Sequence, residues 1–423
     1  MVGLPKRLLA VVALAAWMIA GCTPSAEEGT VLTFWGMGRE GEIVAQLMPG
    51  FERSHPGVRV RVQQIPWSAA HEKLLTAFVG GSLPDAFQLG NTWVPELAAI
   101  GALAPLDAHW NDPEFERADF FPGVLDTNVI DGTTRAVPWY VDTRLLFYRK
   151  DLLAAAGYPE APRTWQEWRE MMERLRTRAP DRYAILLSLA EWQPLVMFGL
   201  ESGATLLTDQ DQRGNFESPP FRRAYEFYLG LMQDGLAPRA GEGQLANLYQ
   251  EFASGRIVFF ISGPWNLGEL PRRLPAELAD SWAVAPMPAA TAEHPYPGVS
   301  LAGGSSLAIA AGSPRAELAW QLLVYLSSRA TQLEIYRLSG DLPSRRSAWA
   351  EGKLAADPRT GAFEQQLQHV VSTPKIPEWE RIATKIMQYT ERALHDGESV
   401  ERSLAALDVE VDRILEKRRS LQP

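Results

Sequence analysis

Directly after the first predicted strand, a glycine-rich motif could bring backbone N–H groups close to a ligand. Gly36, Gly38 and Gly41 match G-x-G-x-x-G, and the strand before and helix after them are the context of a dinucleotide-binding fingerprint. The second predicted strand, however, ends near Gln63 and Gln64, so no carboxylate is placed to bind a ribose 2′-hydroxyl. We therefore interpret the glycines as a tight turn that exposes main-chain donors to a ligand, and we expect no cofactor.

Other residues that could support catalysis lack their partners. His71-Glu72 is followed at position 75 by leucine, so the second histidine of the zinc-protease motif is missing. The segment 304–306 lacks the final glycine of the G-x-S-x-G nucleophile elbow. The 51 acidic residues could include the carboxylate pair of a glycosidase, but no local pattern marks one. We expect a binding protein with no catalytic residue and no metal site.

The only cysteine lies at the end of a predicted secretory signal. A short positive region, Lys6-Arg7, precedes an apolar stretch at 8–20 that is too short for a convincing membrane span. The Ile-Ala-Gly-Cys sequence at 19–22 resembles the bacterial lipobox, in which the chain is cut before the cysteine and lipid is attached to it.

This resemblance divides the N-terminus into two segments. Residues 1–21 are predicted to be a lipoprotein signal peptide, and residues 22–30 a tether with lipid on Cys22. Several acyl chains would hold the exported protein stably on the outer face of the cytoplasmic membrane. Because there is no second cysteine, disulfides and thiolate metal sites are excluded.

Composition indicates a globular protein that does not bind nucleic acid. About 400 residues remain after the signal, which is too long for one hydrophobic core and enough for two domains. The chain is 46% apolar and 22% charged, with a net charge of −10 and no basic run. Nucleic acid is therefore an unlikely partner. The unusual feature is the 14 tryptophans.

Strand and helix patterns alternate along the chain. The predicted strands lie at 31–35, 58–62, 86–89, 184–189, 256–262 and 307–311, and the predicted helices at 43–51, 71–79, 94–100 and 164–178. The last helix begins with the capping box Thr164-Trp165-Gln166-Glu167. This order predicts a mainly parallel sheet covered by helices. The absence of a linker suggests two domains between which the chain crosses more than once.

Six motifs occur in order over nearly the whole mature chain. They are Pro84-Asp85-Ala86-Phe87 with Trp93 and residues 101–107; residues 137–152, beginning Val-Pro-Trp-Tyr-Val-Asp; the capping box at 164–167; Phe252-Ala253-Ser254-Gly255-Arg256 with Gly263-Pro264-Trp265; Gly303-Gly304; and residues 340–345, Gly-Asp-Leu-Pro-Ser-Arg. Together they resemble the family 1 extracellular solute-binding proteins of ABC sugar importers.

The resemblance implies a two-lobed α/β periplasmic-binding-protein fold of the maltose-binding type, with a hinge and a ligand cleft. Residues 30–138 and 284–315 are assigned to the first lobe, and residues 139–283 and 316–423 to the second. The first crossing is expected at Pro138-Trp139, since proline limits sheet pairing. Hinge closure around the ligand is the expected motion.

The resemblance also implies a function for this protein. The protein is expected to be a monomer that captures a sugar and delivers it to the permease subunits of an ABC importer. The alternatives are a lipid-anchored enzyme acting on carbohydrate and a binding protein for another polar solute such as glycerol phosphate. The latter would need more cationic residues than the candidates below provide.

A sugar site needs flat aromatic rings for apolar C–H faces and rigid polar groups for hydroxyls. Candidates of these types lie at strand ends and in loops: Trp35, Glu40, Trp67, Asn91, Trp93, Tyr140, Asp142, Trp192, Trp265, Asn266, Gly303, Gly304 and Arg345. Family resemblance places Glu40, Tyr140 and Asp142 at ligand positions, with Tyr140 stacking and Asp142 accepting hydroxyl bonds. The two glycines would let backbone amides approach the sugar.

Three positions leave alternatives open. Trp93 either stacks on the ligand or packs in the core, and Arg345 either reaches the ligand or forms a surface salt bridge. At Gly90, several family members carry a sugar-binding aspartate. Either Asn91 substitutes for it, or the cleft holds a larger ligand.

Overall fold

The computed structural model describes residues 29–109, 111–113, 115–239, 248–351, 354 and 356–421. The predicted signal peptide at 1–21, Cys22 and most of the tether lie outside these residues. Within the described ranges, no helix is long and apolar enough to cross a bilayer.

The strands of the described chain are short and are spread from residue 30 to residue 371. In order they are β1 (Thr30–Met37), β2 (Val58–Ile65), β3 (Ala86–Gly90), β4 (Val129–Ile130), β5 (Thr133–Thr134), β6 (Val137–Asp142), β7 (Leu145–Tyr148), β8 (Tyr183–Leu186), β9 (Leu207–Thr208), β10 (Arg213–Gly214), β11 (Ile257–Ser262), β12 (Ala283–Ala285), β13 (Ser300–Leu301), β14 (Gly303–Ile309), β15 (Leu342–Pro343) and β16 (Val370–Val371).

The α-helices lie between and after these strands. They are α1 (Gly38–Ser54), α2 (Trp67–Val79), α3 (Val94–Ala99), α4 (Pro122–Asp126), α5 (Lys150–Ala155), α6 (Trp165–Arg178), α7 (Gln193–Glu201), α8 (Pro219–Gln233), α9 (Leu248–Ala253), α10 (Asn266–Arg273), α11 (Ala316–Ser327), α12 (Arg329–Ser339), α13 (Pro358–Gln366), α14 (Trp379–His395), α15 (Val400–Ile414) and α16 (Glu416–Leu421).

The capping box predicted from the sequence starts α6. Thr164 Oγ1 accepts a hydrogen bond from the Glu167 amide at 3.2 Å, which satisfies one of the free N–H groups of the first turn. The Glu167 carboxylate in turn accepts from the Arg163 amide at 2.8 Å, one residue before the usual partner of a capping box.

The first sheet has six strands in the order β15-β6-β14-β3-β1-β2. β1 pairs in parallel with β2 and β3, as the strand–helix alternation predicts. β14, however, runs antiparallel to both β3 and β6, so the sheet is mixed rather than mainly parallel. Leu32 and Phe34 on β1 pack with Ile43 and Phe51 of α1, because alternate residues of a strand face the same layer.

The second sheet has four strands in the order β12-β7-β11-β8. Its central strand β11 is buried along its whole length and pairs in parallel with β8 and antiparallel with β7. Helices α6, α7, α8, α14 and α15 share one hydrophobic core with this sheet. We call residues 29–142 and 303–345 lobe 1 and residues 145–301 and 356–421 lobe 2.

Three parts of the predicted division differ from the structure. The return to the first lobe was expected at 284, but β12 pairs with β7 in the second sheet and Leu301 packs in the core of lobe 2, so residues 284–301 belong to lobe 2. The assignment of all of 316–423 to the second lobe is wrong for 316–343. Trp320 of α11 and Ile335 of α12 pack in the core of the first sheet, and Leu342 of β15 pairs with Val141. The first crossing also lies later than Pro138, because β6 remains in the first sheet through Asp142. Long-range strand pairing and hydrophobic burial, which sequence motifs do not reveal, decide these points.

Candidate functional site

One edge of the first sheet gathers the ends of several strands. β1 ends at Met37 and β2 ends at Ile65, and these two residues are register partners. β6 ends at Asp142, whose partner is Gly303, the first residue of β14. Ligands of α/β proteins bind outside the carboxyl ends of parallel strands, where helices and loops begin. This edge of lobe 1 is therefore the expected floor of a site.

Lobe 2 faces this edge across a cleft. Trp192 immediately precedes α7 and Trp265 immediately precedes α10, and both side chains line the cleft opposite lobe 1. The enclosed volume is ≈ 1140 Å³, which is somewhat above the usual range of about 300–1,000 Å³ for small-molecule sites. The cleft can therefore hold a ligand larger than one sugar ring.

Most of the residues proposed from the sequence line this cleft. The ten that do so are Glu40, Trp67, Asn91, Trp93, Tyr140, Asp142, Trp192, Trp265, Gly303 and Gly304. They come from both lobes and from distant parts of the chain, and only the meeting of the two sheets brings them together.

Glu40 is at the floor of the cleft, in the first turn of α1. Its Oε1 accepts a hydrogen bond from the Tyr140 hydroxyl at 3.0 Å, and that hydroxyl lies 3.4 Å from Gln88 Nε2. Burial raises the pKa of Glu40, although hydrogen bonds from its own backbone amide, Tyr140 and Trp67 oppose the shift. This arrangement fixes Tyr140 through its hydroxyl and places the Glu40 carboxyl group at the ligand space.

Asp142 is the second acid of the floor. Burial raises its pKa, and the charge of Arg144 opposes the shift. The Arg144 guanidinium lies 3.5 Å from Asp142 Oδ2 and 4.7 Å from the centre of the Trp265 ring. Asp142 Oδ1 is buried without a hydrogen-bond partner among the described residues. A ligand hydroxyl or amine could donate to this oxygen.

A third acid, Asp341, was not among the candidates. It lies just before β15, is 2% exposed, and lines the cleft beside Glu40 and Asp142. Burial raises the pKa of Asp341 well above its ordinary value, and the charges of Glu40 and Asp142 add to the shift. Its position in the motif Gly-Asp-Leu-Pro-Ser-Arg, four residues before Arg345, is the signal in the sequence that could have identified it.

Aromatic rings form one wall of the cleft in lobe 1. Trp67 and Trp93 meet edge to face, with ring centres 5.6 Å apart. The Trp93 ring lies against Gly90, where an added Cβ would be 3.3 Å from Trp93 Cε2. Trp93 thus both packs and lines the cleft. Asn91 donates to the Ala302 carbonyl at 2.9 Å, so its amide nitrogen already has a partner within the protein.

Two of the candidate residues point away from the cleft. The Trp35 side chain packs on the α2 side of the first sheet, with Lys73 Nζ 4.8 Å from its ring centre. Trp35 lies within β1, whereas the cleft-lining residues that follow this strand begin at Gly38, beyond its end. Asn266 is fully buried, and its Nδ2 donates to Ser262 Oγ at 2.8 Å. Both assignments to the ligand site are therefore corrected.

Arg345 does not line the cleft; its guanidinium lies 3.6 Å from Asp119 Oδ2 and 3.8 Å from Glu116 Oε2, so the salt-bridge alternative holds, with the arginine itself buried. It is 1% exposed, and its guanidinium donates to the carbonyls of Ser327 and Phe115 and lies 4.5 Å from the Phe120 ring centre. Burial lowers its pKa, and the charge of Asp119 opposes the shift. Arg345 therefore joins three segments inside lobe 1, and the family resemblance misled the prediction at this position.

Four arginines that the sequence analysis did not propose also line the cleft. Arg39, Arg272 and Arg273 surround Glu269, with N–O distances of 3.3, 2.5 and 2.5 Å. The fourth, Arg144, pairs with Asp142 as described above. The cleft is thus richer in cations than expected, but each cation has a carboxylate partner within 4 Å. Helical spacing of Glu269 with the two later arginines could have indicated this cluster.

Two polar contacts join the lobes across the cleft. Arg39 of α1 reaches Glu269 of α10, and Thr92 Oγ1 donates to Glu380 Oε1 of α14 at 2.6 Å. Burial raises the pKa of Glu380, while the Thr92 hydrogen bond and the charge of His71 oppose the shift. These contacts are suited to hold the lobes at a defined separation.

Known proteins share this architecture over nearly the whole chain. The structure of the sugar-binding protein MalE from Xanthomonas citri is 45% identical, with a TM-score of 0.84, and the match covers 93% of this chain and 99% of that one. A solute-binding protein from Thermotoga lettingae, solved with α-D-tagatose, is 27% identical with a TM-score of 0.83, covering 92% and 100%. The maltose-binding-like two-lobed fold expected from the sequence is therefore confirmed.

Sequence comparisons agree with the structural ones. The diacetylchitobiose binding protein DasA of Streptomyces coelicolor is 28% identical over 398 residues, which are 88% of this chain and 90% of that protein. Residues 37–333 match the sequence profile of a family described as bacterial extracellular solute-binding proteins. The chain belongs to this family of bacterial extracellular solute-binding proteins.

Proposed function

We propose that this protein captures a sugar in the cleft between its lobes and delivers it, chemically unchanged, to the permease of an ABC importer. The observation that supports this proposal most directly is the set of side chains that line the cleft. Tryptophans from both lobes face the cleft together with Glu40, Asp142 and Asp341. Aromatic rings suit the C–H faces of sugars, and carboxyl groups suit their hydroxyls.

The names of the relatives support the same ligand class. DasA is a diacetylchitobiose binding protein, and other relatives are named for mannitol and galactooligosaccharides. We propose that Asp142 accepts from ligand hydroxyls and that Tyr140 stacks on the ligand. Trp67, Trp93, Trp192 and Trp265 pack against its faces, and the Gly303 and Gly304 amides lie beside it.

We further propose that the protein is exported, works as a monomer, and is held at the outer face of the cytoplasmic membrane through lipid on Cys22. The sequence Ile-Ala-Gly-Cys at 19–22, after an apolar segment, supports this proposal. β1 begins at Thr30, so an anchor on Cys22 would be joined to lobe 1 through the predicted tether at 22–30.

A thermal-shift screen of residues 22–423 against mono- and oligosaccharides, followed by calorimetry on hits, tests sugar capture. A bound sugar should raise the Tm by mass action. Asp142→Ala should weaken binding by at least about tenfold, since hydrogen bonds to charged groups contribute about 1.5–3 kcal/mol. Glu391→Ala, an exposed residue of α14, is the control and should bind normally.

Other results of this screen would favour one of the alternative functions. Chemical change of the sugar, detected by product analysis, would favour the carbohydrate-active enzyme. A response to glycerol phosphate without a response to any sugar would favour the polar-solute alternative. Normal binding by Asp142→Ala would contradict the assigned site.

A further inference from the structure

The floor of the cleft holds three carboxyl groups, of which only Asp142 has an arginine within 4 Å among the described residues. Glu40, Asp142 and Asp341 all line the cleft at this point. Burial raises the pKa of Asp341, and the charges of Glu40 and Asp142 add to the shift, so Asp341 lies close enough to both acids to be affected by their charge. Burying several carboxylates together is unfavourable, because a protein interior solvates charge poorly.

Asp341 supplies the observation that points to a ligand. Its residue is 2% exposed, and its Oδ1 has no hydrogen-bond partner among the described residues although it lines the cleft. Asp142 Oδ1 is also buried and unpartnered. Buried polar atoms nearly always have partners, and leaving one without a partner costs about 1–3 kcal/mol. Two such oxygens at one binding surface are explained if a ligand donates to them.

The nearest arginines compensate these acids only in part: the charge of Arg39 lowers the pKa of Glu40 and Asp341, and that of Arg144 lowers the pKa of Asp142. Arg144 approaches Asp142 through Oδ2 at 3.5 Å and leaves Oδ1 free. Arg39 contacts Glu269 at 3.3 Å and donates to the Leu338 carbonyl at 2.8 Å. Among the described residues, no cation lies within 4 Å of the carboxylates of Glu40 or Asp341. Also within that part of the chain, no group of acids and histidines could hold a metal ion.

A ligand hydroxyl can donate to one of these oxygens, but it does not reduce the repulsion between the carboxyl groups. A protonated amine has three N–H donors and a positive charge, so it can satisfy both oxygens and stabilise the ionised acids. The chemistry of the floor therefore suits an ammonium group better than a hydroxyl group.

We propose that Glu40, Asp142 and Asp341 form a subsite for the protonated amino group of an amino sugar. The cleft then binds a saccharide with a basic amine more tightly than the same saccharide with a hydroxyl at that position. This inference rests on the proposed function, since it names the chemical class of the sugar that occupies the cleft.

The test compares matched ligand pairs by calorimetry on the mature chain. The probes are glucosamine disaccharide against cellobiose, and the 2-, 3-, 4- and 6-amino-deoxy derivatives of trehalose and maltose against their parents, at about pH 6.5, where the amines are protonated. At least one amino derivative should bind about tenfold or more tightly than its parent. If every derivative binds equally or more weakly than its parent, the subsite is disproved while sugar capture stands.

Variants locate the preference within the cleft. Asp341→Asn and Glu40→Gln keep the shape of the side chains and remove the charge, so each should reduce the preference for the amine to about threefold or less. Glu72→Gln, an exposed residue of α2 outside the cleft, should retain it. A preference that survives in both cleft variants would overturn the assignment. If neither amines nor parents bind, the proposed function fails as well.

Discussion

Asp341 illustrates how a binding site can place conflicting demands on a single residue. A carboxyl group that is 2% exposed and close to two other acids does not stabilise the folded chain in the absence of ligand. Its place in the cleft lining and its unpartnered Oδ1 make it available to a donor on the ligand. Stability and binding therefore favour different side chains at this position.

The pH dependence of stability should reveal this conflict. The pKa of Asp341 is raised in the folded protein, so the folded state binds its proton more tightly than the unfolded chain does. The stabilising effect of this group is complete below the unfolded pKa and is lost as pH rises through the folded pKa. Asp341→Asn should therefore raise the Tm by at least about 2 °C at pH 8 and change it little at pH 4.

Calorimetric unfolding at the two pH values measures this difference. Glu72→Gln, which removes an exposed carboxylate of lobe 1, should leave the Tm at both pH values within about 1 °C of the parent protein. A lower Tm of Asp341→Asn at pH 8 would show that the carboxylate is satisfied within the unliganded protein.

At the scale of elements, the turn between β11 and α10 shows how the backbone positions a ligand-facing ring. Gly263 follows the buried strand, and Trp265 immediately precedes the helix. An added Cβ at Gly263 would lie 2.0 Å from Trp265 Cζ3 and 2.6 Å from Asp142 Oδ1. Glycine is thus required here by close approach of two side chains from different lobes.

Gly263→Ala should force the Trp265 ring or the Asp142 carboxyl to move. We expect sugar affinity to fall by at least about tenfold and the free energy of unfolding to fall by about 1–3 kcal/mol, the usual cost of overpacking. Calorimetry and urea unfolding measure the two effects. Gly312→Ala is the matched control, because a Cβ there meets nothing within 4 Å. Unchanged sugar affinity in Gly263→Ala would show that Trp265 is not a ligand contact.

At the scale of the whole molecule, anchoring and binding are assigned to separate regions. The proposed lipid is on Cys22, whereas the first described cleft residue is Gly38 and the cleft is closed by cross-lobe contacts such as Thr92 with Glu380. The tether enters the fold through β1, at the end of the strand opposite the cleft. Membrane attachment should therefore leave ligand binding undisturbed.

Cys22→Ser tests this separation. Without the thiol, no lipid can be attached at position 22. Stable anchoring needs more than one acyl chain, so we expect the protein to move from the membrane fraction to the soluble fraction. Fractionation measures the location, and calorimetry should give the same sugar affinity for both forms. Continued membrane association of Cys22→Ser would mean that another part of the chain holds the protein there.

Local patterns in the sequence determined the elements of this protein and the types of residue at its strand ends. Alternation in β2, the glycine turn after β1 and the capping box of α6 depend on neighbours within a few residues, so they can be read from the chain directly. The ends of parallel strands meet at one edge, and for that reason Glu40, Trp67 and Asn91 could be grouped before their positions were known.

Only the tertiary structure decided which long-range neighbours these residues have. Arg345 and Asp341 are four positions apart in one motif, yet burial places the arginine inside lobe 1 and the acid at the cleft floor. Helices α11 and α12 follow the last crossing expected from the motifs but bury their apolar faces on the first sheet. Packing and desolvation act between segments hundreds of residues apart, and these forces are not visible in local spacing.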